Sequence, residues 1–197
     1  MYSYHIVLDL EMNPVSKEHK NVYENLRQEI IEIGAVKLNE HLEIVDTFDC
    51  FVKPEFNYQI TPYINKLTGI KSSSAMNAES FATALKDFEA WMGNGADTRI
   101  YSWSDNDLIQ LKTECEFKEI PFPKNMKRWL DFQKVFQRLM NISNRGKHLA
   151  LCEAIKYFDI EINSKKVHNA LYDAEITSTL LVPFLNGEYK QQVKCVY

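Results

Sequence analysis

No Cys-x-x-Cys pair occurs in this chain. Its four cysteines, Cys50, Cys115, Cys152 and Cys195, stand far apart, which removes the spacing that zinc clusters and redox motifs need. Reduced, buried thiols are the expectation. Nor is there an excess of positive charge: 23 basic residues stand against 27 acidic ones, for a net charge of -4. No global field recruits polyanions, which argues against a passive nucleic-acid coat but not against an enzyme whose metal ions supply positive charge locally. No uncharged apolar run approaches the ~20 residues needed to cross a bilayer, and the longest near the end, Thr177–Gly187, falls far short. The opening stretch Met1–Asp9 has no basic segment ahead of its apolar residues and an acid within them, so no secretory signal and a cytoplasmic location are expected. Internal repeats, low-complexity tracts and dividing linkers are also missing.

What is present is 197 residues of ordinary globular composition, 45% apolar and 25% charged. That length fits a single domain over residues 1–197, with a core of about 4–184 and a tail of 185–197. Alternating or β-branched stretches predict strands over Tyr4–Met12, Glu29–Leu38, Ile44–Val52, Ile100–Trp103 and Trp129–Phe132. Pro14 forbids the first from continuing as a central strand. Helices are expected over Tyr63–Leu67, stopped by Gly69, and over a segment capped by Asn77 that carries Phe81, Leu85, Phe88, Trp91 and Met92. Others follow Ser104, run over Phe132–Met140 and Leu149–Phe158, and end with Asn169–Phe184. A strand meander followed by alternating strands and helices predicts an α/β fold, with a central mixed five-stranded sheet flanked by helices.

Three acidic clusters could carry chemistry. Asp9 and Glu11 share one face of the first strand, opposite Ile6, Leu8, Leu10 and Met12. Two residues span ~6.6 Å along a strand, close enough for their oxygens to converge on a metal pair about 3.5–4 Å apart. Alone, an Asp-x-Glu pair at a strand end more often faces solvent. In the second cluster, Ser104-Asp105-Asn106-Asp107, either acid can simply serve the dipole of a starting helix. In the third, His168 lies five positions ahead of Asp173 at the start of the last helix. If Asp173 binds a metal, His168 could take a proton from water there. The spacing is compatible with that arrangement, and equally with a structural histidine.

The ordered combination is more specific than its parts. Val7-Leu8-Asp9-Leu10-Glu11, the segment Glu29–Val36, Leu67-Thr68-Gly69-Ile70 and His168–Asp173 resemble the DnaQ-like, DEDDh-type 3'-5' exonucleases across roughly residues 4–184. Phe51-Val52-Lys53-Pro54 and Trp103–Asp107 look most like the Eri-type RNA exonucleases and the KapD-type bacterial proteins. The resemblance implies a ribonuclease H-like fold, with Asp9, Glu11, Asp107 and Asp173 as ligands of two magnesium ions, manganese substituting, and His168 as general base. It selects Asp107 over Asp105. It also implies that the strand end at Met12 and the segment containing Leu67, Thr68 and Ile70 lie near the terminal nucleotide, although Met12-Asn13-Pro14 replaces the family's small turn.

The implied activity is hydrolysis of single-stranded 3' ends, RNA before DNA, to nucleoside 5'-monophosphates. A DNA-trimming or proofreading exonuclease shares the same residues. A regulatory protein acting by partner binding, as the KapD resemblance to a sporulation inhibitor allows, would be marked by a lost catalytic group, and all five groups are present. Lys165 and Lys166, the set Lys124, Lys127 and Arg128, and the pair Arg145 and Lys147 are candidate backbone contacts. No separate RNA-binding domain is visible, so either the substrates are short or another protein supplies targeting.

Overall fold

The computed structural model describes residues 2–93, 95–142, 148–158 and 160–189. Strand β1 (Tyr4–Pro14) leads through the short helix α1 (Lys20–Tyr23) to the antiparallel pair β2 (Gln28–Leu38) and β3 (Ile44–Lys53). Helices α2 (Pro62–Thr68) and α3 (Ser72–Met76) precede the two-residue strand β4 (Glu79–Ser80) and helix α4 (Phe81–Met92). Then come β5 (Thr98–Ser102), α5 (Asn106–Phe117), β6 (Trp129–Asp131), α6 (Phe132–Leu139), α7 (Leu151–Ala154) and α8 (Ala170–Leu185).

The sheet is mixed and has six strands in the order β4-β3-β2-β1-β5-β6, one more than expected. The addition, β4, pairs only with Val52 and Lys53, and two residues carry no periodicity for a sequence to display. β1 occupies the centre, antiparallel to β2 and parallel to β5. Its alternation sends Ile6, Leu8 and Leu10 to one face, against Phe81, Leu85 and Phe88 of α4 and Leu111 of α5. Val7 goes to the other, with Phe132 and Phe136 of α6 and Ala174, Leu180 and Leu181 of α8. The result is a three-layer domain core. Asp9 and Glu11 lie on the α8 face by the same alternation.

Three local devices set the frame of that face. Gly34 in β2 lies beneath the start of α8, where an added Cβ would stand 2.0 Å from the backbone nitrogen of Leu171. A glycine inside a strand here permits close helix approach. Second, the β1–β2 register slips between Glu11 and Met12, a bulge of the kind that re-aims side chains beside active sites. Third, buried Asn13 accepts from the Thr61 backbone N–H at 3.0 Å and donates to the carbonyls of Asn57 and Gln59, fastening α2 to the end of β1. The thiols divide by position: Cys115 is buried, Cys50 half-buried and Cys152 exposed, so burial fails for Cys152. Cys195 lies outside the described residues.

Candidate active site

Each acid arrives on a different support. Asp9 and Glu11 stand on the central strand, while Asp107 and Asp173 occupy the first turns of α5 and α8. Both helices therefore turn their positive ends toward the acids, where backbone N–H groups lack helical partners. Glu11, Asp107 and Asp173 are all buried, at 8%, 5% and 8% exposure. Asp9 is half-buried. Such acids are almost never buried without partners.

Their proton affinities report how close together they are. Burial raises Asp9 well above the carboxylate range, reinforced by the negative charges of Asp107, Asp173, Glu11 and Glu32. Glu11 is pushed up to about 9, first by burial, then by Asp173, Glu32 and Asp107. Burial takes Asp107 to about 7 even though backbone N–H groups of Asp107 and Leu10 favour its charged form. Asp173 is raised by burial against the opposing bond from the His168 backbone. Four acids repelling one another in one cleft need a cation.

The donor set fits one. One oxygen each of Glu11 and Asp173 and one nitrogen of His168 lie within 4.8 Å of one another. Asp173 Oδ1 is buried without a hydrogen-bond partner, although Oδ2 accepts from the His168 backbone N–H at 3.2 Å. Carboxylate oxygens with an idle lone pair on Asp173 suit a hard divalent cation. His168 itself is exposed and adopts a left-handed backbone, φ 67°. For a side chain with a Cβ that conformation costs about 1–2 kcal/mol.

The structure separates the two acids of the mid-chain cluster. Asp105 is bound by Lys134, whose hydrogen bond and charge hold its carboxyl below the usual range, whereas Asp107 joins Asp9. Of the substrate-side candidates, Leu67 lines a groove of about 530 Å³ together with Tyr63, Lys66, Cys152 and His168. Thr68 instead closes α2, its hydroxyl donating to Ile64 and accepting from the Ile70 N–H. Ile70 is buried with Ile31, Ile60 and Ala75, and Met12 packs against the cluster on the far face of the sheet. Neither side chain lines the groove with Leu67. Lys165 and Lys166 are exposed beside His168. Arg128 packs over Tyr2 at the opposite end of β1, with Lys124 and Lys127 nearby in sequence. Arg145 and Lys147 lie outside the described residues.

An exonuclease family model, RNase_T, matches residues 6–181, which takes in every one of these acids. The chain belongs to the exonuclease family. Curated relatives include 3'-5' exoribonuclease 1 of Rattus norvegicus, 31% identical over 76% of this chain and 44% of its own. The PolC-type DNA polymerase III of Oceanobacillus iheyensis is 32% identical over 89% of this chain and 11% of its own. Among solved structures, the nuclease domain of 3'hExo, a DEDDh family member bound to rAMP, superposes with a TM-score of 0.80. It is 25% identical over 94% of this chain and 93% of that one. The chain thus spans less than half the length of the curated relatives cited. Membership of this family accounts for the ribonuclease H-like sheet order and for acids gathered at the centre of the sheet. The sequence patterns above do not single out Glu32, a buried acid between Ile31 and Ile33; its charge between β-branched neighbours is the available signal.

Proposed function

We propose that this chain is a divalent-metal-dependent 3'-5' exonuclease that shortens single-stranded RNA, and DNA less readily, by one nucleoside 5'-monophosphate at a time. The observation that carries the reading is the gathering of Asp9, Glu11, Asp107 and Asp173 in one cleft with His168 at its rim. Asp9, Glu11, Asp107 and Asp173 would hold two magnesium ions, with manganese as a substitute. When bound, those ions supply the positive charge that activates the attacking water and stabilises the leaving 3'-oxygen. An imidazole nitrogen of His168 accepts the water's proton as the new P–O bond forms and the bond to the 3'-oxygen breaks. Leu67 walls the groove that leads away from His168, and exposed Lys66 offers a phosphate contact along it.

Preference for RNA rests on the exoribonuclease among the relatives. The similarity to a DNA polymerase III chain favours a second reading, a DNA-trimming enzyme with the same residues. End-labelled single-stranded RNA and DNA oligonucleotides decide between them. With magnesium or manganese, a 5' label should give a descending ladder and a 3' label should appear at once as mononucleotide. EDTA or Asp173→Asn should abolish both. Cleavage that persists in EDTA, or internal fragments from a circular substrate, would overturn the reading.

A further inference from the structure

Glu32 is fully buried in β2, directly opposite Glu11 in the strand ladder. Its position among the acids invites its reading as a fifth metal ligand, yet both of its oxygens are already engaged. Oε1 accepts from the Asn169 side-chain amide at 2.7 Å, and Oε2 accepts from the Ala170 backbone N–H at 3.1 Å. Asn169 and Ala170 are the two residues immediately after His168. Ala170 opens α8, so its N–H is one of the donors that the helix cannot satisfy itself. The other end of the Asn169 amide, Oδ1, caps the helix by accepting from Tyr172 N–H at 3.1 Å. Glu32 thus reaches the turn from below, with one oxygen for each of the two donors. From β3, Asp49 also faces it and shares a side-chain hydrogen bond.

His168 holds a left-handed backbone that survives only where its surroundings over-determine it. The flanking contacts do so. His168 N–H is bonded to Asp173, the next two residues are bonded to Glu32, and Gly34 lets the whole turn settle onto the strand. We propose that Glu32 is a positioning residue: it ties the strained turn at the start of α8 to the sheet and so aims His168 at the water to be deprotonated. This builds on the exonuclease reading and adds to it a role for an acid that binds neither metal nor substrate.

The test compares Glu32→Ala and Glu32→Gln with the wild-type chain. Misplacing a reacting group by about 1 Å costs roughly 100-fold, so Glu32→Ala should lower kcat on that scale while leaving KM for a single-stranded oligonucleotide within a factor of about three. Glu32→Gln keeps one acceptor and should recover most of the loss. In metal-free protein, amide hydrogen exchange over 168–172 should accelerate by about tenfold or more in Glu32→Ala, with α4 unchanged. A loss confined to KM, equal kinetics in all three proteins, or exchange that accelerates equally in α4 would overturn the assignment. Absence of cleavage by the wild-type chain would sink the exonuclease reading alone. The local exchange comparison would then decide whether Glu32 holds the turn.

Discussion

Glu11 holds its proton far more tightly than an ordinary glutamate, because burial and three neighbouring acids push it up to about 9. At neutral pH a divalent cation must therefore displace a proton before it can use this carboxylate. Manganese titrated into metal-free protein near pH 7 should release protons, so the calorimetric enthalpy should vary with the ionisation enthalpy of the buffer. Equal enthalpies in phosphate and Tris would contradict the raised affinity. His168 is expected to separate from the acids in such an experiment. Proton transfer by a positioned side chain contributes ~100- to 10,000-fold, so His168→Ala should lose single-turnover hydrolysis on that scale while manganese still binds. Near-wild-type turnover in that variant would make the histidine structural. Strand alternation is enough to put Asp9 and Glu11 on one face, whereas Asp107, His168 and Asp173 join them in the sequence only through the ordered combination of motifs and its family resemblance. The choice of Asp107 over Asp105 rests in the sequence on the family resemblance alone, because its physical basis, Lys134 reaching Asp105 from another helix, is a tertiary contact.

Among the elements, strands were easier to read than helix boundaries. Apolar alternation marks β1 and β2 within two residues of their observed ends, whereas helix starts depend on which polar residue wins the cap. Asn77 was expected to begin α4, but it closes α3, and the Ser80 hydroxyl accepts from Thr83 N–H instead. At the start of α5, Asp105 holds the N-cap position without a side-chain cap bond, and the Ser104 hydroxyl accepts from the Asn106 N–H at 3.3 Å. The stretch Leu149–Phe158 was expected to form one helix, yet only Leu151–Ala154 is α-helical and Ile155–Phe158 is a 3₁₀ turn. Its apolar residues Leu149, Cys152, Ile155 and Phe158 recur every third position, which matches three residues per turn better than 3.6. Gly34 belongs to this scale because it sets the distance between two elements. Gly34→Ala places a methyl 2.0 Å from the α8 backbone, which cannot yield as a side-chain tip can. Urea unfolding should show a loss above the ~1–3 kcal/mol of ordinary overpacking, together with weakened manganese binding as Asp173 is displaced. Gly69→Ala is the control: its φ is 78° but its Cβ would meet nothing within 4 Å. There only the left-handed conformation is penalised, at about 1–2 kcal/mol. Equal losses at the two glycines would refute the close-approach argument.

For the whole molecule, a cleft of repelling acids makes stability depend on pH and metal together. A carboxyl whose proton affinity rises on folding binds more protons folded than unfolded between its two pKa values, so stability falls as pH rises through that interval. For Glu11 the interval runs from 4.5 to about 9, and for Asp107 from 3.8 to about 7. His5 acts in the opposite direction at lower pH. Burial and Arg99 lower it from 6.5, so the folded state resists protonation and loses stability as pH drops below that value. Asp105 is stabilised by Lys134 only above its ordinary value of 3.8, and that contribution is lost as pH falls further. Raised Lys118 keeps its contribution until pH passes 10.5. The window from about pH 7 to 9 is therefore dominated by Glu11, which must shed its proton there against its neighbours. Metal-free protein should show a melting temperature that declines across this window. Manganese binds the ionised cluster of the folded state and stabilises it by mass action, so its effect should grow with pH until the decline is cancelled or reversed. Scanning calorimetry in EDTA and in manganese across the window measures both slopes. A metal-free melting temperature that rises from pH 7 to 9, or a manganese shift of the same size at both ends, would mean that these carboxyls are already ionised without the cation and that the cleft is not assembled by it.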